Sequence, residues 1–133
     1  MRPCHTPVRE SVSQKRRKSS MEFTQGVRFD SLGLSPEIMR AIGQRRIEES
    51  TPVQAGCIPP MMEWRDVIAK APTGTGKTFA YGIPIVEHVE PENESVQAVI
   101  LAPTRELAIQ ITDEMRDLAT YKPGVRMVCL YGG

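Results

Sequence analysis

The sequence predicts an α/β fold in which a parallel sheet is flanked by helices. Three short apolar runs, residues 66–71, 96–102 and 125–130, have the length and the Val/Ile content of buried strands. Two stretches with helical periodicity, from Lys77 to about His88 and from Arg105 to Thr120, lie between them. Strand, helix, strand, helix, strand is a βαβαβ order, and parallel strands joined this way take right-handed crossovers. The length, 133 residues, is that of about one domain.

Each element has a local reason. Ser35-Pro36-Glu37 reads as a helix start, with a capping hydroxyl, proline at the first helical position and an acid in the first turn. Ile38, Met39 and Ile42 make its apolar face. A second start follows at Thr51-Pro52-Val53-Gln54, where Thr and Gln have capping-box spacing. That helix is expected to end near Pro59-Pro60, since proline removes a donor. Pro84 is expected to kink the helix that begins at Lys77. In the last helix Leu107, Ile111, Met115 and Leu118 share one face, with Asp113, Glu114 and Asp117 outside. Pro123-Gly124 ends it.

Composition narrows the function classes. A hydrophobic share of 40% and a charged share of 25% are those of a globular chain. No apolar run approaches the roughly 20 residues of a membrane-spanning helix. The N-terminus has no apolar stretch of the secretory kind. Cys4, Cys57 and Cys129 are too few and too scattered for a disulfide framework or a zinc site. A reducing compartment, the cytoplasm, is the expectation.

The net charge of +1 hides an asymmetry: residues 1–20 carry six Lys/Arg and one Glu, so the remainder is mildly acidic. Bulk charge on the body therefore does not attract nucleic acid, and any contact must come from local groups. Lys15-Arg16-Arg17-Lys18 is a basic cluster. It reads as a solvated tail, with a nucleic-acid contact or a targeting signal as the alternatives. The expected organisation is a disordered basic tail at 1–20, a helical segment at 21–59 and a nucleotide-binding α/β part at 60–133.

The strongest chemical signal is Ala71-Pro72-Thr73-Gly74-Thr75-Gly76-Lys77-Thr78. It matches the P-loop pattern except that Ala71 stands where the general pattern has Gly. Gly74 and Gly76 let the backbone curl until successive N–H groups face phosphate oxygens. The helix that follows offers its positive end to the same anion. Lys77 brings a mobile ammonium to the β- and γ-phosphates, and the Thr78 hydroxyl suits Mg²⁺. A chance glycine-rich turn is the competing reading, and the strand before and helix after oppose it.

Further segments add a family resemblance. Pro103-Thr104-Arg105-Glu106-Leu107-Ala108 directly follows the second apolar run. Phe29 and Thr51-Pro52-Val53-Gln54 precede the phosphate loop, and Gly132-Gly133 follow the third run. In order and spacing, the stretch from Phe29 to Gly133 closely resembles the start of a DEAD-box RNA helicase. The resemblance implies a P-loop RecA-like parallel sheet flanked by helices, as a truncated part of the first helicase domain. It implies an ATP-dependent enzyme that binds RNA and unwinds short duplexes, with ATP and Mg²⁺ as cofactors.

Residue by residue, the resemblance matches Phe29 and Gln54 to the Q motif, where the Gln reads the adenine edge. Ala71, Pro72, Thr73, Gly74, Thr75, Gly76, Lys77 and Thr78 fall on the ATP-phosphate loop, with Lys77 and Thr78 as the catalytic pair and Thr78 on the metal. Pro103, Thr104 and Arg105 match the motif that contacts the RNA backbone, and Gly132 and Gly133 the glycine doublet near RNA. The chemistry agrees. A Gln amide offers one donor and one acceptor to adenine. Thr104 and Arg105 open a helix, where N–H groups, a hydroxyl and a guanidinium suit a phosphate. Gln54 has a second reading, since it can instead close a capping box with Thr51, and the two roles compete for one side chain.

The chain departs from the family pattern at Arg46 and Ile47, where Gly and an aromatic are usual, and at Ser50, where Pro is usual. No Asp-Glu-Ala-Asp or Ser-Ala-Thr segment occurs in the 133 residues. The expectation is an N-terminal fragment that is inactive alone and marginally folded. The alternative is another P-loop nucleotide-binding or interaction module without unwinding activity. Amide exchange at residues 1–20 is expected to be unprotected, because too little apolar surface is present there to offset ordering. Protection equal to that of the helix from Arg105 to Thr120 would overturn this.

Overall fold

The computed structural model describes residues 25–132. The expectations for residues 1–20 and for Gly133 lie outside the described residues. A short 3-10 turn, Phe29–Leu32, leads into four helices: α1 Pro36–Gln44, α2 Pro52–Met62, α3 Lys77–His88 and α4 Arg105–Leu118.

Three of the helix starts are closed by side chains. Ser35 Oγ accepts from Ile38 N at 3.3 Å, and Pro36 fills the first helical position of α1. Thr51 and Gln54 form a reciprocal capping box on α2. Thr104 Oγ1 accepts from Leu107 N at 3.2 Å at the start of α4. α3 differs, because its first turn follows Gly76 and has no side-chain cap.

α2 runs past Pro59 and Pro60 to Met62, beyond the end expected from the sequence. The prolines withhold two donors, yet the turn beyond them is closed by backbone. Glu63 N donates to Pro59 O, Trp64 N to Met61 O and Arg65 N to Pro60 O. The last two bonds are those of a Schellman ending. A division of the chain at 59/60 thus falls inside α2.

α2 packs on α3, α3 on α4, and α1 on α4. Between them lies one apolar core, built from Phe29, Ile38, Ile42, Ile58, Ile83 and Leu118 among others. Each such side chain contributes about 1.5–3 kcal/mol through burial. Polar contacts tie the helix ends together. Lys122 Nζ donates to Val86 O at 2.7 Å and Glu87 O at 2.8 Å, on the negative end of α3. Glu87 Oε1 accepts from Ser35 N at 2.7 Å and fixes where α1 begins. On the other side of α1, Arg45 pairs with Asp117 and lies 4.9 Å from the Phe79 ring, while Arg40 lies 4.1 Å from the Tyr121 ring.

The expected sheet is not found among the described residues. The pairing present there is an isolated antiparallel bridge, Arg28 with Glu49. Residues 66–71, 96–102 and 125–130 are neither helical nor paired. In 125–130 exposure still alternates from one residue to the next, the period of an extended backbone. An apolar run specifies extended backbone, but a parallel sheet also needs a neighbouring strand on which to hydrogen-bond and helices on both faces. Without that pairing, Ile68 is 91% and Leu101 89% exposed.

Among the described residues two that bear side chains occupy the left-handed region, Arg46 (φ 56) and Trp64 (φ 59). Arg46 is one of the family departures noted above, at a position where Gly is usual. The backbone there needs what Gly gives without steric cost. Replacing Arg46 by Gly is therefore expected to stabilise the fold by roughly 0.5–1 kcal/mol, after the greater entropy loss of Gly is counted. Denaturant melts of the two chains check this, and a lower midpoint for Arg46→Gly refutes it.

Candidate nucleotide-binding site

The loop from Ala71 to Gly76 joins the first apolar run to α3. Gly74 (φ 82) and Gly76 (φ 78) both sit in the left-handed region, and this produces the curl. The loop closes on itself through two side chains. Thr75 Oγ1 donates to Pro72 O at 2.6 Å, and Lys77 Nζ donates to Ala71 O at 2.9 Å. Lys77 is exposed, so its ammonium can exchange a carbonyl for a stronger anionic acceptor. The uncapped start of α3 leaves its first N–H groups free of any side-chain acceptor. A curled loop, a helix start and a mobile ammonium together fit a phosphate chain.

Thr78 follows Lys77 and is half-buried. Among the described residues no group of three or more His, Cys, Asp or Glu side chains is arranged to hold a metal. The Thr78 hydroxyl is a hard oxygen of the kind Mg²⁺ takes. Three residues on from Thr78, burial pushes the Tyr81 phenol up, and its hydrogen bond with Thr78 works against that rise.

Gln54 is 5% exposed, and both ends of its amide are used. Its Oε1 accepts from Thr51 N at 2.9 Å, and its Nε2 donates to Gly76 O at 3.1 Å. The capping-box reading is thus realised, and the amide also joins α2 to the last residue of the phosphate loop. Phe29 is 1% exposed within the core, and its N–H donates to Glu48 O at 3.1 Å. That bond ties Phe29 to the 48–50 segment.

The second group of expected residues lies at the start of α4. Pro103, Thr104 and Arg105 are exposed. Arg105 stands over the Tyr131 ring at 5.4 Å, and Tyr131 precedes the exposed Gly132. The structure thus brings Arg105 to the segment carrying the glycine doublet, and Gln54 to the phosphate loop.

Sequence reasoning missed three residues of this arrangement: Tyr131, Ser50, whose N–H donates to Val27 O at 2.8 Å just before Thr51, and Gly26, whose backbone lies against Ser50 O. Ser50 carried a signal, since it departs from the family pattern. Gly26 carried none, because a lone glycine does not announce what it touches. Met61 and Met62 are partly buried, and Trp64, 78% exposed, packs at the surface by stacking on His88 at 3.9 Å. Cys57 is buried, which raises its thiol pKa and keeps it protonated, as expected of an inert apolar residue. No described helix is long and apolar enough to cross a membrane.

Comparison with known proteins shows the family. The family model for the DEAD/DEAH box helicase matches residues 51–133. A DEAD-box ATP-dependent RNA helicase CshA from Geobacillus kaustophilus is 52% identical over 105 residues, covering 79% of this chain and 22% of that protein. The ATP-dependent RNA helicase DeaD of Escherichia coli is 43% identical over 105 residues, covering 79% of this chain and 17% of its own length. The chain thus spans about a fifth of the length of the curated relatives it matches. Among solved structures, a DEAD box protein from Methanococcus jannaschii aligns with a TM-score of 0.66 at 40% identity, over 70% of this chain and 26% of that one. Yeast Dbp5 bound to RNA and ADP BeF3 aligns with a TM-score of 0.68 at 34% identity, over 71% of this chain and 25% of its own.

An added Cβ on Gly76 would fall 2.3 Å from Gln54 Nε2, at a φ that disfavours any side chain. Gly76→Ala is expected to cost roughly 1–3 kcal/mol of stability through left-handed strain and a displaced amide. Thermal unfolding of the two chains measures it. An unchanged midpoint would show that the loop and Gln54 are not held together.

Proposed function

We propose, since the chain belongs to the DEAD/DEAH box helicase family, that it carries the ATP-binding and first RNA-contacting elements of an ATP-dependent RNA helicase. The observation that carries this is the union of the curled loop Ala71–Thr78 with the Gln54 amide at Gly76 O, 3.1 Å away. A phosphate cradle and a group able to read a base edge are then neighbours. The roles proposed are these. Thr73 to Lys77 wrap the phosphates, Lys77 neutralises charge on the transferring phosphoryl group, and Thr78 holds Mg²⁺. Gln54 exchanges its backbone partners for adenine, with Phe29 supporting its segment. Pro103, Thr104 and Arg105, with Gly132 and Gly133, bind the RNA backbone without base preference.

Residues 66–71, 96–102 and 125–130 are in this reading strands of a RecA-like parallel sheet. Residues 21–59 form the base-reading segment and 60–133 the phosphate-binding part. Release and capture of RNA follow ATP-driven closure of two domains in the whole enzyme, in the cytoplasm. The 133 residues hold no Asp-Glu-Ala-Asp segment to orient the attacking water, so this chain alone binds nucleotide without turning it over.

The test is Lys77→Ala. Loss of one charged contact is expected to weaken ATP binding by this chain by about tenfold to a hundredfold. Turnover stimulated by RNA in the full-length protein is expected to fall by orders of magnitude. Unchanged affinity and turnover would refute the assignment. Turnover indifferent to RNA would instead favour a P-loop module of another kind.

A further inference from the structure

A line of contacts connects a residue far from the phosphate loop to the loop itself. An added Cβ on Gly26 would fall 1.8 Å from Ser50 O, so the backbone at 26 lies directly against the backbone at 50. Ser50 is 5% exposed and bonds the next residue, Val27, three ways. Ser50 N donates to Val27 O at 2.8 Å, Ser50 Oγ donates to the same oxygen at 2.8 Å, and Val27 N donates to Ser50 Oγ at 3.0 Å. Phe29 N then reaches Glu48 O, and Arg28 bridges Glu49. The segment 26–29 is thus strapped along 48–50.

Ser50 is followed by Thr51, whose N–H is held by Gln54 Oε1, and Gln54 Nε2 holds Gly76 O. Every step is a backbone adjacency or a hydrogen bond; Gly26 and Val27 lie at the exposed end of the line, while Ser50 and Gln54 are buried and Thr51 and Gly76 half-buried, where such bonds resist competition from water. A shift of Ser50 moves Thr51 with it and changes where the Gln54 amide points.

We infer that Gly26 and Ser50 are positioning residues: they form a latch that sets the Gln54 amide, and through it the phosphate loop, in place. This rests on the nucleotide-binding reading for its consequence but not for its geometry. Proline, usual at position 50 in the family this chain resembles, has no N–H to give Val27. The backbone bond to Val27 thus needs any residue but proline at 50, and the two bonds through Oγ need a hydroxyl there. Glycine at 26 is required by the close approach.

The test uses the 133-residue chain with Ser50→Ala, Gly26→Ala, Gln54→Ala and the pairwise combinations with Gln54→Ala. Amide exchange is read first. Ser50→Ala is expected to speed exchange at Thr51, Gln54 and Ala80, whose N–H donates to the Gly76 carbonyl that Gln54 also holds, leaving residues 111–118 unchanged. Uniform acceleration across α4 as well, or no acceleration at Ala80, overturns the latch. Binding of a fluorescent ADP analogue is read second. Ser50→Ala or Gly26→Ala is expected to weaken it by roughly threefold to tenfold, and by less than twofold when Gln54 is already Ala, because coupled contacts are not additive. Full additivity overturns the inference. Should the unsubstituted chain bind no nucleotide, the nucleotide reading fails and the exchange pattern alone decides the latch.

Discussion

The arrangement of this molecule turns on one side-chain amide. Gln54 has one acceptor and one donor, and the fold uses both, one on the start of its own helix and one on the phosphate loop. Neither bond is strong alone, since a neutral hydrogen bond contributes about 1 kcal/mol net. The amide is buried, however, so an unmade bond costs more than a made one gives. The bond to Gly76 O thus ties α2 to the start of α3. In the proposed enzyme the same amide would turn to a base, so base binding and loop geometry would share a single group.

What was legible in the sequence was local. Ser35, Thr51 and Thr104 each announced a helix start, and each is one. The apolar faces of α1 and α4 were readable from spacing, because a helix repeats every 3.6 residues whatever it packs against. The phosphate loop was readable because its chemistry demands particular residues in a row. The sheet was not settled in this way. Its three runs are apolar and short, but pairing is a property of two strands and not of one, and residues 66–71, 96–102 and 125–130 remain unpaired among the described residues. The extension of α2 past two prolines was hidden for a related reason, since the bonds that close it come from Glu63, Trp64 and Arg65 beyond the helix.

Within the candidate site, the residues that meet phosphate chemistry were visible and those that hold them were not. Lys77, Thr78 and Gln54 stand in recognisable patterns. Gly26 and Ser50 become meaningful only when two segments more than 20 residues apart are laid together, as the Val27–Ser50 bonds show. The same holds for Tyr131 beneath Arg105. Arg46 shows the reverse case. Its sequence position looked merely unusual, and the backbone explains what the usual glycine would relieve.

The clamp that docks α1 mixes two kinds of force, and they respond differently to dissolved ions. The Arg45–Asp117 pair is partly open to solvent, yet its charges lie well inside the Debye length of about 10 Å at 0.1 M, so salt weakens it only in part. The stacking of Arg40 on Tyr121 and of Arg45 on Phe79, and the burial of Ile38 and Ile42, depend far less on ionic strength. Phosphate contacts such as those proposed for Arg105 weaken steeply as counterions become plentiful. Raising the salt therefore separates the two: nucleic acid would be released from the start of α4 while α1 stays seated on its other end.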